Sequence, residues 1–201
     1  RRVTAYTSHL TPFVLTAIVS PSTSTVPEAP ACLAADYPPG TFGGSGNAQF
    51  MSVGPYFQYL QDRDYYVIPD QDFVDLGFAN SLGIATCNGN TPCGAEAVHK
   101  HYDGDAYITF TAHDNIDVYI MYDTRGGTNL LDTSRDAPWI AAAGFVNTGK
   151  FVRTNDAVQR YRVYKNSYAQ GSAVDLDGNR KGVTTPLINT NYWVVIKRAG
   201  T

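Results

Sequence analysis

Two neighbouring stretches of the chain decide the fold class: residues 106–112 read AYITFTA and residues 117–122 read DVYIMY. In the first stretch Ile108 and Phe110 alternate with Tyr107, Thr109 and Thr111, which is the period of a β-strand. The residues between them, HDNI at 113–116, have the composition of a turn. We therefore predict two strands joined as a β-hairpin.

Similar segments recur along the chain. We predict further strands at 63–69 (RDYYVIP), 160–165 (RYRVYK), 172–176 (SAVDL) and 192–197 (YWVVIK). We predict a short helix at 138–143, a hairpin turn at Asp177-Gly178 and mostly irregular structure at 70–98. Strands at this spacing predict an all-β fold, either a β-sandwich or a Greek-key β-barrel.

Composition narrows the class of protein. The 201 residues are 43% hydrophobic and 16% charged with a net charge of −3, so the chain is too apolar for a disordered protein. No run approaches the roughly 18 apolar residues of a membrane span. No cluster of Lys and Arg is present, so we expect no nucleic-acid partner. The 14 Tyr and 9 Phe favour strands.

The first nineteen residues, RRVTAYTSHLTPFVLTAIV, are β-prone and, from position 13 onward, largely apolar on both faces of a strand. Residues 20–30, SPSTSTVPEAP, have the composition of an extended linker. We therefore divide the chain into an arm (1–19), a linker (20–30) and a β-domain (31–201), and we expect the arm to belong to the mature protein. The predicted strand residues of the arm are Val3, Ala5, Phe13, Val14, Leu15, Ala17, Ile18 and Val19.

A detached apolar strand needs a sheet to complete its hydrogen bonds and cover its side chains. If the arm enters another copy of the chain, the contact is head-to-tail and builds a filament of identical subunits. The alternative is an arm that folds back into its own sheet, because a long linker adds little loop-closure entropy. The sequence leaves both arrangements open, and the filament subunit is our first hypothesis.

Three cysteines indicate a cellular location. Cys87 and Cys93 enclose the turn-rich stretch NGNTP, so we predict a disulfide between them. A disulfide suits an oxidising environment, and we expect the protein outside the cell or at its surface. We expect Cys32 to be a buried thiol.

Candidate metal ligands occur in two patterns, neither sufficient for a site. Calcium needs six to eight oxygen ligands, and the acidic stretches that would supply them contain Asp70, Asp72, Asp75, Asp175 and Asp177. The histidines that could converge are His99, His101 and His113. We predict no metal and no cofactor. The spacing singles out no carboxylate pair and no nucleophile motif, so we predict no enzyme activity.

Exposed aromatic side chains can stack on sugars, and three residues are candidates for such a platform: Tyr56, Tyr59 and Trp139. Trp139 follows Pro138 in a less regular region, so we expect it at the surface. Trp193 lies within an apolar strand and is expected in the core. The alternative function is therefore a carbohydrate-binding or adhesion module of a bacterial surface protein, with surface glycans as partners.

Five motifs carry a resemblance to a known group: DRDY (62–65), DVYIMYDTR (117–125), APWI (137–140), YRVYKNSYAQGSAVDLDGN (161–179) and NYWVVIK (191–197). In this order they resemble a group of secreted bacterial β-sandwich domains without a characterised function. Asp177 stands where that group has a Gly. Similar domains occur on surface proteins and as subunits of extracellular fibrils assembled by donor-strand complementation. The resemblance implies the fold, and together with the arm it favours the fibril form.

Overall fold

The computed structural model describes Tyr37 and residues 43–46, 48–53, 56–79, 81–89, 93–123, 132–134, 136–156, 160–184 and 190–201. The predicted arm, its linker and Cys32 lie outside these described residues. Within the described ranges, no helix has the length and apolar character needed to cross a membrane.

Strands dominate the structure, which confirms an all-β fold. The described residues form nine strands: β1 (Gln49–Ser52), β2 (Val67–Ile68), β3 (Leu82–Ala85), β4 (Ile108–Thr111), β5 (Ile116–Asp123), β6 (Val146–Thr154), β7 (Arg160–Tyr168), β8 (Ala173–Leu176) and β9 (Trp193–Arg198). The helices are α1 (Gln71–Asp75), α2 (Pro138–Ala142) and a 3-10 turn at Glu96–Val98.

Seven of these described strands form one antiparallel sheet in the order β1-β3-β9-β5-β7-β6-β2, and the other two, β4 and β8, pair in a second sheet. The large sheet curls. The segment at 57–61 links its two ends, because Gln58 bridges Tyr66 next to β2 and Leu60 bridges Thr86 after β3. The large sheet is therefore close to a half-barrel, with the small sheet packed outside it.

Two apolar cores lie on the two faces of the large sheet. On β5, Val118 and Ile120 point into a core shared with the small sheet and α2. Tyr119 and Met121 point the other way, into the core inside the curl. All eight residues of β5 are buried, because both faces of this strand are covered.

Several predictions about local structure need correction. The strand predicted at 106–112 is the shorter β4 (Ile108–Thr111), and the one predicted at 117–122 lies within β5. The predicted hairpin is wrong, because β4 pairs with β8 while β5 pairs with β7 and β9. Within the described part of 70–98, α1, β3 and the 3-10 turn at Glu96–Val98 lie between irregular segments. A turn follows Asp177, in which Lys181 N donates to the Gly178 carbonyl at 3.0 Å. The flanking strands β8 and β9 are not paired with each other, so the predicted hairpin turn is wrong.

A candidate ligand pocket beside the second helix

Helix α2 positions one wall of the pocket. Pro138 occupies the first turn, where its missing N–H costs nothing, and Ala137 before it is extended. Trp139 and Ile140 are buried against the core shared with the small sheet. The helix ends next to Gly144, whose φ of +84° lies in the left-handed region that glycine favours. The chain then turns directly into β6.

A pocket of about 260 Å³ lies between α2 and the strands β6 and β7. Its lining combines apolar side chains with a few polar groups from three separate parts of the chain. The lining residues are Thr133, Asp136, Ala137, Pro138, Ile140, Ala141, Phe145, Asn147 and Tyr164.

Asp136 is the charged group of this lining, and two side chains from β7 hold it. The Arg162 guanidinium and the Tyr164 hydroxyl both donate to its Oδ2 atom. Arg162 Nη2 also donates to the Asp132 carbonyl at 3.0 Å. The side chain of Arg162 is only 1% exposed and that of Asp136 is 11% exposed, so the ion pair is almost completely shielded from water.

Burial sets the titration of these groups. It raises the pKa of Asp136 above its ordinary value, while the bond from Tyr164 and the charge of Arg162 oppose that rise. Burial also raises the pKa of Tyr164, and its bond to Asp136 raises it further. Tyr164 is therefore protonated at neutral pH and acts as a hydrogen-bond donor.

Three polar atoms around the pocket have no hydrogen-bond partner among the described residues. Both contacts to Asp136 use Oδ2, which leaves Oδ1 as an acceptor. Asn147 Oδ1 accepts from Gly149 N at 2.9 Å, which leaves its Nδ2 as a donor. The third atom is the hydroxyl of Thr133, an exposed residue at the rim. The pocket thus offers an acceptor, a donor and a hydroxyl beside an apolar wall.

The predicted aromatic platform does not form. Trp139 is 5% exposed and packs against Phe145 and Tyr192, with ring centroids 6.4 and 5.7 Å away, so the expected surface role for Trp139 is wrong. Tyr59 is fully buried and donates to Asp156 Oδ2 at 2.8 Å. Tyr56 is 70% exposed.

Four of the acidic residues considered as calcium ligands make contacts within the chain. Asp70 caps α1 by accepting from Phe73 N at 3.0 Å, and Asp72 and Asp75 each lie 2.8 Å from Lys150 Nζ. Asp177 accepts from Ala106 N at 3.0 Å. Within the described part of the chain, no group of three His, Cys, Asp or Glu side chains could hold a metal ion.

Cys87 and Cys93 form a disulfide in the structure, and buried side chains hold both of their carbonyls. Asn191 Nδ2 donates to the Cys87 carbonyl at 2.8 Å, and His99 Nε2 lies 2.7 Å from that of Cys93. Both side chains also contact the Tyr107 hydroxyl, at 2.7 and 3.2 Å. Because a carbonyl can only accept, His99 Nε2 donates to the Cys93 carbonyl.

Sequence reasoning missed the pocket residues. Asp136 is one of 16 aspartates, Asn147 lies in a stretch not predicted as a strand, and Tyr164 was assigned only to a strand. No local spacing joins them, because they meet only when α2 packs across β6 and β7. The nearest signal was the APWI motif, which marks the helix that forms the wall.

Comparisons with known proteins give a fold and no family. No family model matches the chain, and no curated protein matches it. Among solved structures, a β-glucuronidase from glycoside hydrolase family 2 superposes with a TM-score of 0.60 at 16% identity. The match covers 79% of this chain but only 14% of that protein. At this identity the likeness shows a shared β-fold.

Proposed function

We propose that this chain is an extracellular carbohydrate-binding module that binds sugar in the pocket beside α2. The observation that carries the proposal is the set of three unpartnered polar atoms around an apolar wall, on Asp136, Asn147 and Thr133. A sugar ring presents hydroxyls that both donate and accept, and it has apolar C–H faces. An acceptor, a donor and a hydroxyl beside Pro138 and Phe145 complement these features.

The pocket favours binding over hydrolysis. Glycoside hydrolysis in most families uses two carboxyl groups that flank the scissile bond. The described lining holds one carboxylate, Asp136, and its Oδ2 atom is occupied by Arg162 and Tyr164. A carboxylate held in this way orients a ligand hydroxyl. The disulfide supports a location outside the cell.

The likeness in fold to a short part of a glycoside hydrolase gives the proposal weak additional support. A domain of this fold occurs within a protein whose name places it in sugar chemistry. Fold alone does not assign function, so the proposal rests on the pocket.

Glycan-array screening followed by isothermal titration calorimetry tests the proposal. We expect wild-type protein to bind at least one glycan, and Thr133→Val and Asn147→Asp to weaken that binding about tenfold, the loss of roughly one hydrogen bond. Asn147→Asp keeps the acceptor for Gly149 N and removes the Nδ2 donor. The control is Val74→Ser on α1, where Val74 is 62% exposed. Absence of binding to any glycan, or equal losses in the control, would contradict the proposal.

A second candidate function is the filament subunit, and one observation favours it. The backbone N–H and C=O of Thr109 on β4 both bond Gly43, at 3.2 and 2.9 Å, so they point away from β8. Thr109 and its cross-strand partner Asp175 are therefore a pair without mutual hydrogen bonds, and the backbone groups of Asp175 point away from β4. Among the described residues, β8 has no strand partner on that side. An open edge of this kind can accept an added strand, and residues 13–19 of a neighbouring copy have the composition to supply it.

Electron microscopy and light scattering test this second candidate. Full-length protein is expected to form filaments, and a variant lacking residues 1–19 is expected to remain monomeric. Asp175→Pro on the open edge removes a backbone donor and should also block assembly in the full-length chain. Monomeric full-length protein at high concentration would eliminate the filament.

A further inference from the structure

We infer that Lys197 is a covalent modification site, where small aldehydes condense with the Nζ amine in preference to the other lysines of the chain. This site does not depend on the proposed sugar pocket. It is carried by the ion pairs of the other lysines, by the surroundings of Lys197 at the end of α1, and by the way in which Asp117 is held.

The lysines other than Lys197 are all tied to carboxylates, and every lysine of the chain lies within the described residues. The ion pairs are Lys100 with Glu96 (2.6 Å), Lys150 with Asp72 (2.8 Å), Lys165 with Asp117 (2.8 Å) and Lys181 with Asp177 (2.6 Å). Lys197 forms no ion pair with a described residue. A carboxylate partner favours the protonated ammonium, which has no lone pair to attack a carbonyl.

Lys197 lies on β9, and its side chain reaches the end of α1. Its Nζ atom donates to the Leu76 carbonyl at 2.9 Å, and Leu76 packs against the core inside the curl. A Cβ atom on Gly77 would lie 2.8 Å from the same Nζ, so the backbone closely covers one side of the amine. A neutral amine that donates one hydrogen bond keeps its lone pair. Lys197 retains part of its surface exposed, which is why the proposed reagents are small.

The cross-strand neighbour of Lys197 is a carboxylate that other side chains hold. Asp117 on β5 is opposite Lys197 on one side and Ser167 of β7 on the other. Ser167 Oγ donates to Asp117 Oδ1 at 2.6 Å, and Lys165 Nζ lies 2.8 Å from Asp117 Oδ2. Both oxygens are therefore engaged from the β7 side, and Lys165 adds a second positive charge on this face of the sheet. Desolvation and a neighbouring cation are two features that activate a lysine toward carbonyl compounds.

The titration of the lysines agrees with this geometry. Burial lowers the pKa of Lys197, while the charge of Asp117 opposes that fall and the charge of Lys165 adds to it. Hydrogen bonds to carboxylates instead raise the pKa of Lys150, Lys165 and Lys181. At neutral pH a larger fraction of Lys197 is therefore the neutral amine.

The condensation consumes only the amine and the aldehyde. The Nζ lone pair attacks the carbonyl carbon, the electron pair of the C=O double bond moves to the oxygen, and one proton moves from the nitrogen to that oxygen. The hydroxyl group then leaves with the second proton of the nitrogen as water, and a C=N bond forms. The step requires neither an oxidant nor a reductant.

Trapping and mass spectrometry test the inference. Wild-type protein is exposed briefly to propionaldehyde at pH 7 and quenched with sodium borohydride, which reduces each imine to a stable secondary amine, and the label on every lysine is measured in peptides. We expect at least about threefold more label on Lys197 than on any other lysine, because each unit by which a pKa falls gives about tenfold more neutral amine. Equal or lower labelling of Lys197 would overturn the inference.

The same experiment at pH 10 separates an activated amine from a merely exposed one. All the lysines then approach their own pKa values, so the excess of label on Lys197 should shrink. An excess caused by exposure alone would stay unchanged, and that result would also overturn the inference.

A variant tests the role of the neighbouring charges. Lys165→Met removes the cation and releases Asp117 Oδ2, which can then pair with Lys197, so we expect the label on Lys197 to fall about threefold. The side chain of Lys165 is 39% exposed, so the variant should fold, and the pH comparison on wild-type protein decides if it does not. The control is Lys100→Met, whose partner Glu96 lies in the 3-10 turn, and it should leave the label on Lys197 unchanged. A label that is constant or higher in Lys165→Met contradicts the inference.

Discussion

At the scale of single residues, the feature with the largest energetic consequence is the ion pair between Arg162 and Asp136. Removing two charges from water is costly, and the cost is recovered only when the geometry is good and the remaining atoms are bonded. Here Tyr164 and the Asp132 carbonyl supply the additional bonds. The pair thus holds the carboxylate in place in the pocket lining.

Replacing Arg162 by Met tests this role. The variant leaves the carboxylate of Asp136 buried beside an apolar side chain, and we expect a loss of about 3 to 5 kcal/mol in the free energy of unfolding. Urea denaturation monitored by tryptophan fluorescence measures it. The control is Lys150→Met, since Lys150 pairs with Asp72 and Asp75 at an exposed site and should matter little. Comparable losses in the two variants would contradict the assignment.

The pH dependence of stability gives a second test on Asp136. Because burial raises its pKa, the folded state retains a proton that the unfolded chain has already released above pH 3.8. The resulting stabilisation is fully present below the pKa that Asp136 has in the unfolded chain. It is lost as the pH rises through the higher pKa that Asp136 has in the folded protein. We therefore expect wild-type stability, measured relative to Asp136→Asn, to fall across that window. A difference that stays constant or rises would show that the pKa of Asp136 is not raised.

At the scale of elements, α1 shows how one side chain fixes a short helix. Its five residues are too few to be stable alone, so the helix depends on its cap and on Phe73, which is 2% exposed. The Asp70 carboxylate accepts from Phe73 N and satisfies one of the free donors of the first turn.

We expect Asp70→Ala to lower the free energy of unfolding by about 1 kcal/mol and Asp70→Asn to lower it less, because Asn is also a good N-cap residue. Chemical denaturation measures both variants. The matched control is the exposed Asp64, whose replacement by Ala should have no effect. If Asp70→Asn were as damaging as Asp70→Ala, the cap would not be the cause.

The strands show what sequence patterns can and cannot predict. Alternating apolar residues located β4, β5, β7, β8 and β9, because alternation is a property of a single strand. The pattern does not indicate which strand pairs with which. The sequence therefore predicts a hairpin at 106–122, although its two strands belong to different sheets. β3 was missed because it is four residues with a Gly, and β6 because Gly149 and its exposed polar residues conceal its period.

The pocket shows the same limit. The helix at 138–143 was predicted from sequence, but the burial of Trp139 was not, because a tryptophan after a proline gives no signal of which side packs. The packing partner, Tyr192, is far away along the chain. The residues that hold and surround Asp136 come from equally distant segments, so only the folded arrangement reveals them.

At the scale of the whole molecule, one curled sheet separates two cores. β5 and β9 contribute side chains to both, whereas β4 and β8 contribute to one. The two cores are therefore joined through the middle of the large sheet, and its central strands should unfold last.

Hydrogen-deuterium exchange with mass spectrometry measures this order. We expect amides of β5 and β9 to exchange only on global unfolding, and those of β8, paired on one side among the described residues, to exchange earlier. Equal protection of β8 and β5 would mean that the two sheets unfold as one unit, or that a further strand covers the edge of β8.

The disulfide provides the last test at this scale. Replacing both Cys87 and Cys93 by Ser removes a short cross-link, and we expect a loss of about 2 kcal/mol from the chain-entropy account. The buried bonds from Asn191 and His99 to the two carbonyls should keep the loop in place. Thermal unfolding with and without a dithiol reductant checks this, and a reduced wild-type protein as stable as the oxidised one would contradict it.

The position of β9 has a consequence for biosynthesis. It follows all the other described strands in the chain, yet it lies inside the sheet between β3 and β5. A nascent polypeptide emerging from the ribosome can form the hairpin-like contacts of β6 and β7 early, but β3 and β5 cannot be joined until residues 193–198 have been made. A premature stop codon before this point should yield a product that proteases degrade rather than a shortened working protein.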